Sequence, residues 1–291
     1  MPSVDLSYQL LHPSQQDIEA YVNIFLSSTN TAASLKGFAS NAKKDSIRHS
    51  VAENLASKRF LHPSHPLSAR LSIPKCKRPP PNPFFDFWSW SCRNLEWCGP
   101  GPESERAQMS HHVLPIFMHH FGCAVPSYEA LELLRLVAAG RAVVDVGSGN
   151  GYWSFMLRQH GVRAVCVDNA MSEWRVTWVS DTAVSDGAKW LSRKENSGGE
   201  DAVLLMVYPI VGGGVAGGVD GGFTRDLMAA YKGDTVAVVG TQNHNGYTGF
   251  GGMTMDEYMQ KEHSDWLKVV QVPVPSFAGK DDALFIFQKP A

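Results

Sequence analysis

A chain of 291 residues, 44% hydrophobic and 19% charged, is long enough to bury a core without staples, and its composition excludes global disorder and a coiled coil. The formal net charge of −2 gives the whole molecule no field that would draw it to nucleic acid or to a membrane surface. Five cysteines, at 76, 92, 98, 123 and 166, form no C-x-x-C pair, which argues for reduced thiols and against a zinc ribbon or a disulfide framework.

The first segment, MPSVDLSYQLLHPSQQD, lacks the basic and apolar regions of a signal peptide, and no apolar run reaches the ~18 residues of a membrane span. A cytosolic protein is the expectation. In SQQDIEAYVNIFLSS, Ser14 is an N-cap with Asp17 in the first turn, and Ile18, Val22 and Phe25 recur at helical spacing. A second helix is expected in KKDSIRHSVAENLASKRF. Between Lys43 and Arg78 stand nine Lys/Arg against two acids, either a solvated basic face or a contact surface for an anionic substrate or partner.

Residues 72 to 102 are dense in proline and aromatic rings, and Pro79, Pro80 and Pro81 favour an extended strap lying across the following domain. Its rings either seal a core or, through Trp88 and Trp90, line a substrate pocket. In SHHVLPIFMHHFG, His112 and His119 are spaced to share a helix face that Pro115 interrupts. The pairs at 111–112 and 119–120 lack a clean ligand geometry, so no metal is expected and a pocket wall or a general base is the alternative.

From Ser127 onwards helical and apolar segments alternate. YEALELLRLVAAG is an amphipathic helix, AVVDV a strand, GYWSFMLRQHG a helix, RAVCVD a strand and DGAKWLSRK a helix. DAVLLMVYP, GFTRDLMAAYKG and DTVAVVG continue the alternation, and WLKVVQVPV with ALFIFQK form an antiparallel pair. The glycine-rich stretch 211–222 is a loop. Continuous apolar strands separated by single helices predict an α/β fold with a doubly wound, mostly parallel seven-stranded sheet and an antiparallel C-terminal strand pair. A mainly helical cap, residues 1–127, precedes this domain of residues 128–291.

At the carboxyl end of the first of these strands, RAVVDVGSGNGYWSFML carries Gly147, Gly149 and Gly151 at G-x-G-x-G spacing, where such sheets bind ligands and where a helix N-terminus faces the same spot. A dinucleotide fingerprint is G-x-G-x-x-G. Here an acid, Asp145, stands two positions before the first glycine, which disfavours a pyrophosphate and suits a ligand carrying ammonium and sulfonium charges. In this motif the chain resembles the class I S-adenosylmethionine-dependent methyltransferases.

The resemblance spans about 165 residues and implies S-adenosylmethionine as cofactor, held by Asp145, Gly147, Ser148, Gly149, Asn150 and Gly151. It further implies that Asp168, with Asn169, accepts the ribose hydroxyls, that Asp181, with Thr182, meets the adenine, and that Tyr208, before Pro209, stands beside the transferred methyl. Asp168 capping a loop, Asp181 capping a turn and Tyr208 filling core are the alternatives. Only twelve residues separate Asp168 from Asp181, too few for the helix the family places there.

Methyl transfer is an in-line displacement in which orientation does much of the catalysis, and a base is needed only for a protonated acceptor. His244 in GTQNHNGYTGF is the candidate base, with Asn243 and Tyr247 as candidate acceptor contacts, or the segment is a plain surface turn. A small-molecule O- or N-methyltransferase is the leading expectation. An RNA or protein methyltransferase using the basic segment, and an S-adenosylmethionine-binding protein that transfers no methyl, are the alternatives.

Overall fold

The computed structural model describes residues 13–26, 31–63, 73–74, 76, 78–95, 97–100, 113–212 and 218–290. His111, His112, the middle of the glycine-rich stretch, and Arg70, Lys75 and Lys77 of the basic segment lie outside them. The first described helices are α1 (Gln15–Ile24), α2 (Thr31–Ser40) and α3 (Ile47–Lys58). Ser14 and Asp17 close a reciprocal capping box on α1, and Ser46 caps α3, so both helices start at side chains that satisfy their first N–H groups. Strand β1 (Phe60–Leu61) follows.

The aromatic segment departs from the extended strap that its prolines suggest. Helix α4 (Pro83–Asn94) occupies its centre. Asn82 accepts from the Phe85 N–H at 3.2 Å and Pro83 takes the first turn, where its missing N–H costs nothing. Phe84, Trp88 and Cys92, each four residues from the last, are buried, and burying a side chain as large as Phe84 contributes ~1.5–3 kcal/mol. Helix α5 (Leu114–Phe121) has Pro115 in its first turn, so this proline opens the helix instead of interrupting it. Helix α6 (Tyr128–Ala138) begins at the Ser127 cap.

The alternating unit then runs β2 (Ala142–Val146), α7 (Tyr152–Gln159), β3 (Ala164–Asp168), β4 (Ala183–Val184), α8 (Gly187–Leu191) and a 3₁₀ segment at Lys194–Gly199. It continues with β5 (Ala202–Val207), α9 (Gly222–Ala230), β6 (Thr235–Thr241), α10 (Met255–Glu262), β7 (Leu267–Pro273) and β8 (Asp282–Gln288). The sheet has eight strands in the order β1-β7-β8-β6-β5-β2-β3-β4, one more than the expected seven because β1 adds to the edge strand β7. β2 to β6 pair in parallel, and β8 is antiparallel to both β6 and β7.

Alternate residues of each strand divide between two cores. Val143, Val203, Leu205, Val239 and Ile286 pack into one cluster with the N-terminal helices, α6 and α7. Val144, Leu204, Met206, Val238 and Phe285 pack on the other face with α9 and α10. The chain leaves β2 for β3 and β4 on one side and returns at β5 on the other, so the switch of direction lies between the carboxyl ends of β2 and β5. Ligand crevices form at such points. No described helix is long and apolar enough to cross a membrane.

Candidate functional site

β2 is buried along its whole length and contains one charged residue, Asp145, 1% exposed. Its Oδ2 accepts from Ser154 Oγ at 2.8 Å, while Oδ1 is buried with no partner. Burial pushes its carboxyl up to about 7, the Asp168 charge adds to the rise, and the Ser154 hydrogen bond opposes it. A carboxylate so placed destabilises the chain at neutral pH unless a cation meets it.

The loop beyond β2 holds Gly149 at φ +56 and Gly151 at φ +78. A Cβ on Gly149 would lie 2.7 Å from the Trp174 ring, and one on Gly151 would lie 2.3 Å from Val179 Cγ2. The bare backbone lets the main chain pass beneath these side chains and still turn into α7. The Gly149 N–H donates to Asp168 Oδ2 at 2.8 Å, and the Ala170 N–H donates to Asp168 Oδ1 at 2.7 Å, so Asp168 ties the end of β3 to the loop. Gly149→Ala meets both a left-handed backbone and the indole. It lowers stability by about 1–3 kcal/mol and weakens ligand binding, measured by thermal denaturation and calorimetry.

A cavity of about 690 Å³ opens here, lined by Asp145, Gly147 to Asn150, Asp168, Asn169, Trp174, Tyr208 and Tyr247 among others. That volume falls within the span of small-molecule sites, about 300–1,000 Å³. Six of the residues that line it each keep a buried polar atom without a partner: Asp145 Oδ1, Ser148 Oγ, Asn150 Nδ2, Trp174 Nε1, Tyr208 OH and Tyr247 OH. Each such atom costs roughly 1–3 kcal/mol, and six around one cavity mark a site suited to a polar ligand.

The histidine pair at 119–120 acts as a clasp. His119 Nδ1 lies 3.0 Å from the Glu173 carbonyl, the Arg175 N–H donates to the His119 carbonyl at 2.9 Å, and Trp178 Nε1 donates to the His120 carbonyl at 2.6 Å. The Trp178 N–H donates to the Asn150 carbonyl at 2.8 Å. Helix α5 thereby holds the short β3–β4 connection against the glycine loop, in place of the helix that the segment is too short to form. No group of three metal-binding side chains occurs among the described residues.

At the β5 side, Tyr208 takes φ +57 and its N–H donates to the Val239 carbonyl at 2.6 Å. Left-handed backbone costs a non-glycine residue ~1–2 kcal/mol, and here it lies at the cavity wall. Lys280, 2% exposed, places Nζ 3.5 Å from the Tyr208 ring centroid and 5.6 Å from that of Tyr247. Burial pushes the Lys280 ammonium down and Asp282 and Cys123 favour its charge. Burial raises Asp282 to about 6 and holds the Cys123 thiol and the Tyr208 phenol above their ordinary values.

Several candidate residues lie elsewhere. Asp181 precedes the two-residue β4 instead of following a full strand; it is exposed and pairs with Arg158 at 2.8 Å, and neither it nor half-buried Thr182 lines the cavity. Trp88 is core, its Nε1 donating to the Ser276 carbonyl at 2.8 Å. Trp90 is 48% exposed against Phe87. His244 Nε2 lies 3.0 Å from both carboxylate oxygens of Glu257 on α10, and Asn243 accepts from the Asn245 N–H. Neither is part of the cavity wall. Trp174, Cys123, Asp226 and Phe223 line it from loops and helix faces that carry no motif.

No family model matches this chain, and no curated protein does. Many of the solved structures it resembles are S-adenosylmethionine-dependent methyltransferases of Rossmann-like fold. A 1,6-didemethyltoxoflavin-N1-methyltransferase of Burkholderia thailandensis, crystallised with S-adenosylhomocysteine, is 15% identical over 55% of this chain and 76% of its own, with TM-score 0.38. For magnesium protoporphyrin IX methyltransferase of Synechocystis PCC 6803, with S-adenosylmethionine bound, the values are 9%, 55%, 79% and 0.34. An rRNA methylase of Streptococcus thermophilus is 13% identical over 53% of this chain and 93% of its own, with TM-score 0.34.

Proposed function

We propose that this chain is an S-adenosylmethionine-dependent methyltransferase acting on a small-molecule acceptor, with residues 128–291 holding the cofactor and residues 1–127 forming a cap. The observation that carries the proposal is one cavity lined by the glycine loop together with Asp145, Ser148, Asn150 and Trp174, each of which keeps a buried polar atom without a partner. These groups fit the cofactor. Asp145 Oδ1 suits its ammonium, Asp168 retains acceptor capacity for ribose hydroxyls beyond its two backbone N–H bonds, and Trp174 offers an aromatic wall. When bound, S-adenosylmethionine supplies a methyl on a sulfonium. The chain's share is to orient an acceptor against it and to exclude water.

A small acceptor has more support than a polyanion. Three of the basic residues between 43 and 78 are turned inward: Arg48 to Asp17, Lys58 to Asp281 and Arg59 to Glu129. His244 is given no role as a base, since Glu257 engages it outside the cavity.

The test is calorimetric titration of the folded protein with S-adenosylmethionine and S-adenosylhomocysteine. Both bind, and Asp168→Ala weakens each at least tenfold. Absence of binding to the folded chain removes the reading, and unchanged affinity in Asp168→Ala removes the ribose contact.

A further inference from the structure

The cavity is lined by groups of two chemical kinds. Asp145, Asp168, Asp186 and Asp226 line it, and these carboxylates favour cations. Tyr208 and Tyr247 also line it, each with a buried hydroxyl that has no partner, and both rings lie beside the Lys280 ammonium. Cys123, which interacts with Lys280, lines the cavity as well. Asp282 is buried and is not among the described residues that line the cavity.

We propose that Tyr208 and Tyr247, backed by Lys280, form a floor that recognises the deprotonated oxygen of an acidic hydroxyl, so that the acceptor is a planar phenol or enol bound as its anion. This rests on the methyltransferase reading only for what happens next to that oxygen; the recognition itself is a property of the floor. Two phenol O–H groups are available as donors, and a bound oxyanion gives each a charge-assisted hydrogen bond. A cation on a ring face draws electron density from the ring and strengthens the O–H as a donor. Lys280 does not line the cavity and acts through the two tyrosines, as a positioning residue.

The groups facing Lys280 are Tyr208, Tyr247, Cys123 and Asp282. Burial keeps the Cys123 thiol and the Tyr208 phenol protonated, so neither competes as an anion. Burial lowers the Lys280 ammonium's pKa, and Asp282 and then Cys123 act against that shift. An acceptor bound as its anion has already lost its proton to solvent, so no base is needed at the floor, and no histidine stands among the described residues that line the cavity.

Bound 4-nitrophenol tests the floor directly, because its anion absorbs visible light and its neutral form does not. The full chain, with and without S-adenosylhomocysteine, is titrated with the probe across pH. The expected result is an apparent pKa at least one unit below that of the free probe, a tenfold or greater preference for the anion. Lys280→Met abolishes the shift, and Tyr208→Phe and Tyr247→Phe each reduce it severalfold. Should Lys280→Met fail to fold, the two phenylalanine variants, which remove one orphaned oxygen each, decide the matter. Ionisation of the bound probe as in water, a shift that survives all three changes, or no binding at millimolar probe overturns the proposal. Loss of S-adenosylhomocysteine binding alone strikes the methyltransferase reading and leaves the probe result standing.

Discussion

At pH 8 the Asp145→Asn protein melts several degrees above the unaltered chain and no longer binds S-adenosylmethionine. Asp145 is 1% exposed, and burial lifts its carboxyl from an ordinary 3.8 to about 7. Between about pH 4 and 7 the folded chain therefore holds this proton more tightly than the unfolded chain does. The stability contributed by the protonated form is complete below the unfolded value and is lost as pH rises through about 7. Above that, the ionised group costs on the order of 4 kcal/mol. Asparagine removes the charge and keeps the shape, so the two proteins melt alike at pH 4 and diverge by pH 8.

Ligand binding runs the other way. A cationic ligand needs the ionised carboxylate, so affinity of the unaltered chain rises up to tenfold per pH unit until about 7 and then levels. The variant shows no such rise, and comparing the two cancels the ligand's own titration. A variant that binds with unchanged affinity, or a binding constant for the unaltered chain that is flat from pH 5 to 8, defeats the assignment of Asp145. The pairing of a stability gain with a binding loss is what separates a ligand contact from a core residue.

The central strands are visible in the sequence because burial on both faces of a parallel sheet demands unbroken apolar runs, and AVVDV, AVCVD and AVLLMV occur within a few residues of where such runs predict them. Asp145 shows itself for the same reason, as the one charge in such a run. Helix α4 is hidden by the three prolines before it, although the Asn82-Pro83 start and the spacing of Phe84, Trp88 and Cys92 carry its signal. β1 is two residues long and no period can be read in two residues; the unpaired edge of β7 recruits it.

The site divides similarly. Residues at strand ends, Asp145, Asp168 and Tyr208, reach the cavity because the switch in strand order fixes where those ends lie. His244 looks like a base in sequence, but its neighbour is set by Glu257 on α10, a contact between elements that no local pattern reports. Trp174 and Lys280 escape for the opposite reason. Each sits in an irregular segment, and only folding brings the indole over Gly149 and the ammonium behind Tyr208.

Arg59→Ala lowers stability by about 3–5 kcal/mol, a loss of roughly 6–15 °C in melting temperature. Arg59 Nη2 donates to Glu129 Oε1 at 2.9 Å across side chains 15% and 3% exposed. The Thr31 N–H and hydroxyl donate to the other oxygen. Burial pushes the Glu129 carboxyl up while Arg59 and Thr31 pull it back, so deleting the guanidinium leaves a buried carboxylate uncompensated. Because that carboxyl's folded pKa then lies further above its unfolded value, the deficit grows as pH rises and shrinks towards pH 5. Adding Glu129→Gln restores much of the loss, and a double-mutant cycle by denaturant unfolding measures the coupling. Additive losses in the cycle defeat the prediction. The adjacent Lys58 pairs with Asp281, next to Lys280, so a cap loosened at Arg59 disturbs the tyrosine floor before the glycine loop. The variant's affinity for 4-nitrophenol falls by more than its affinity for S-adenosylhomocysteine, which ties the cap to the acceptor end of the cavity.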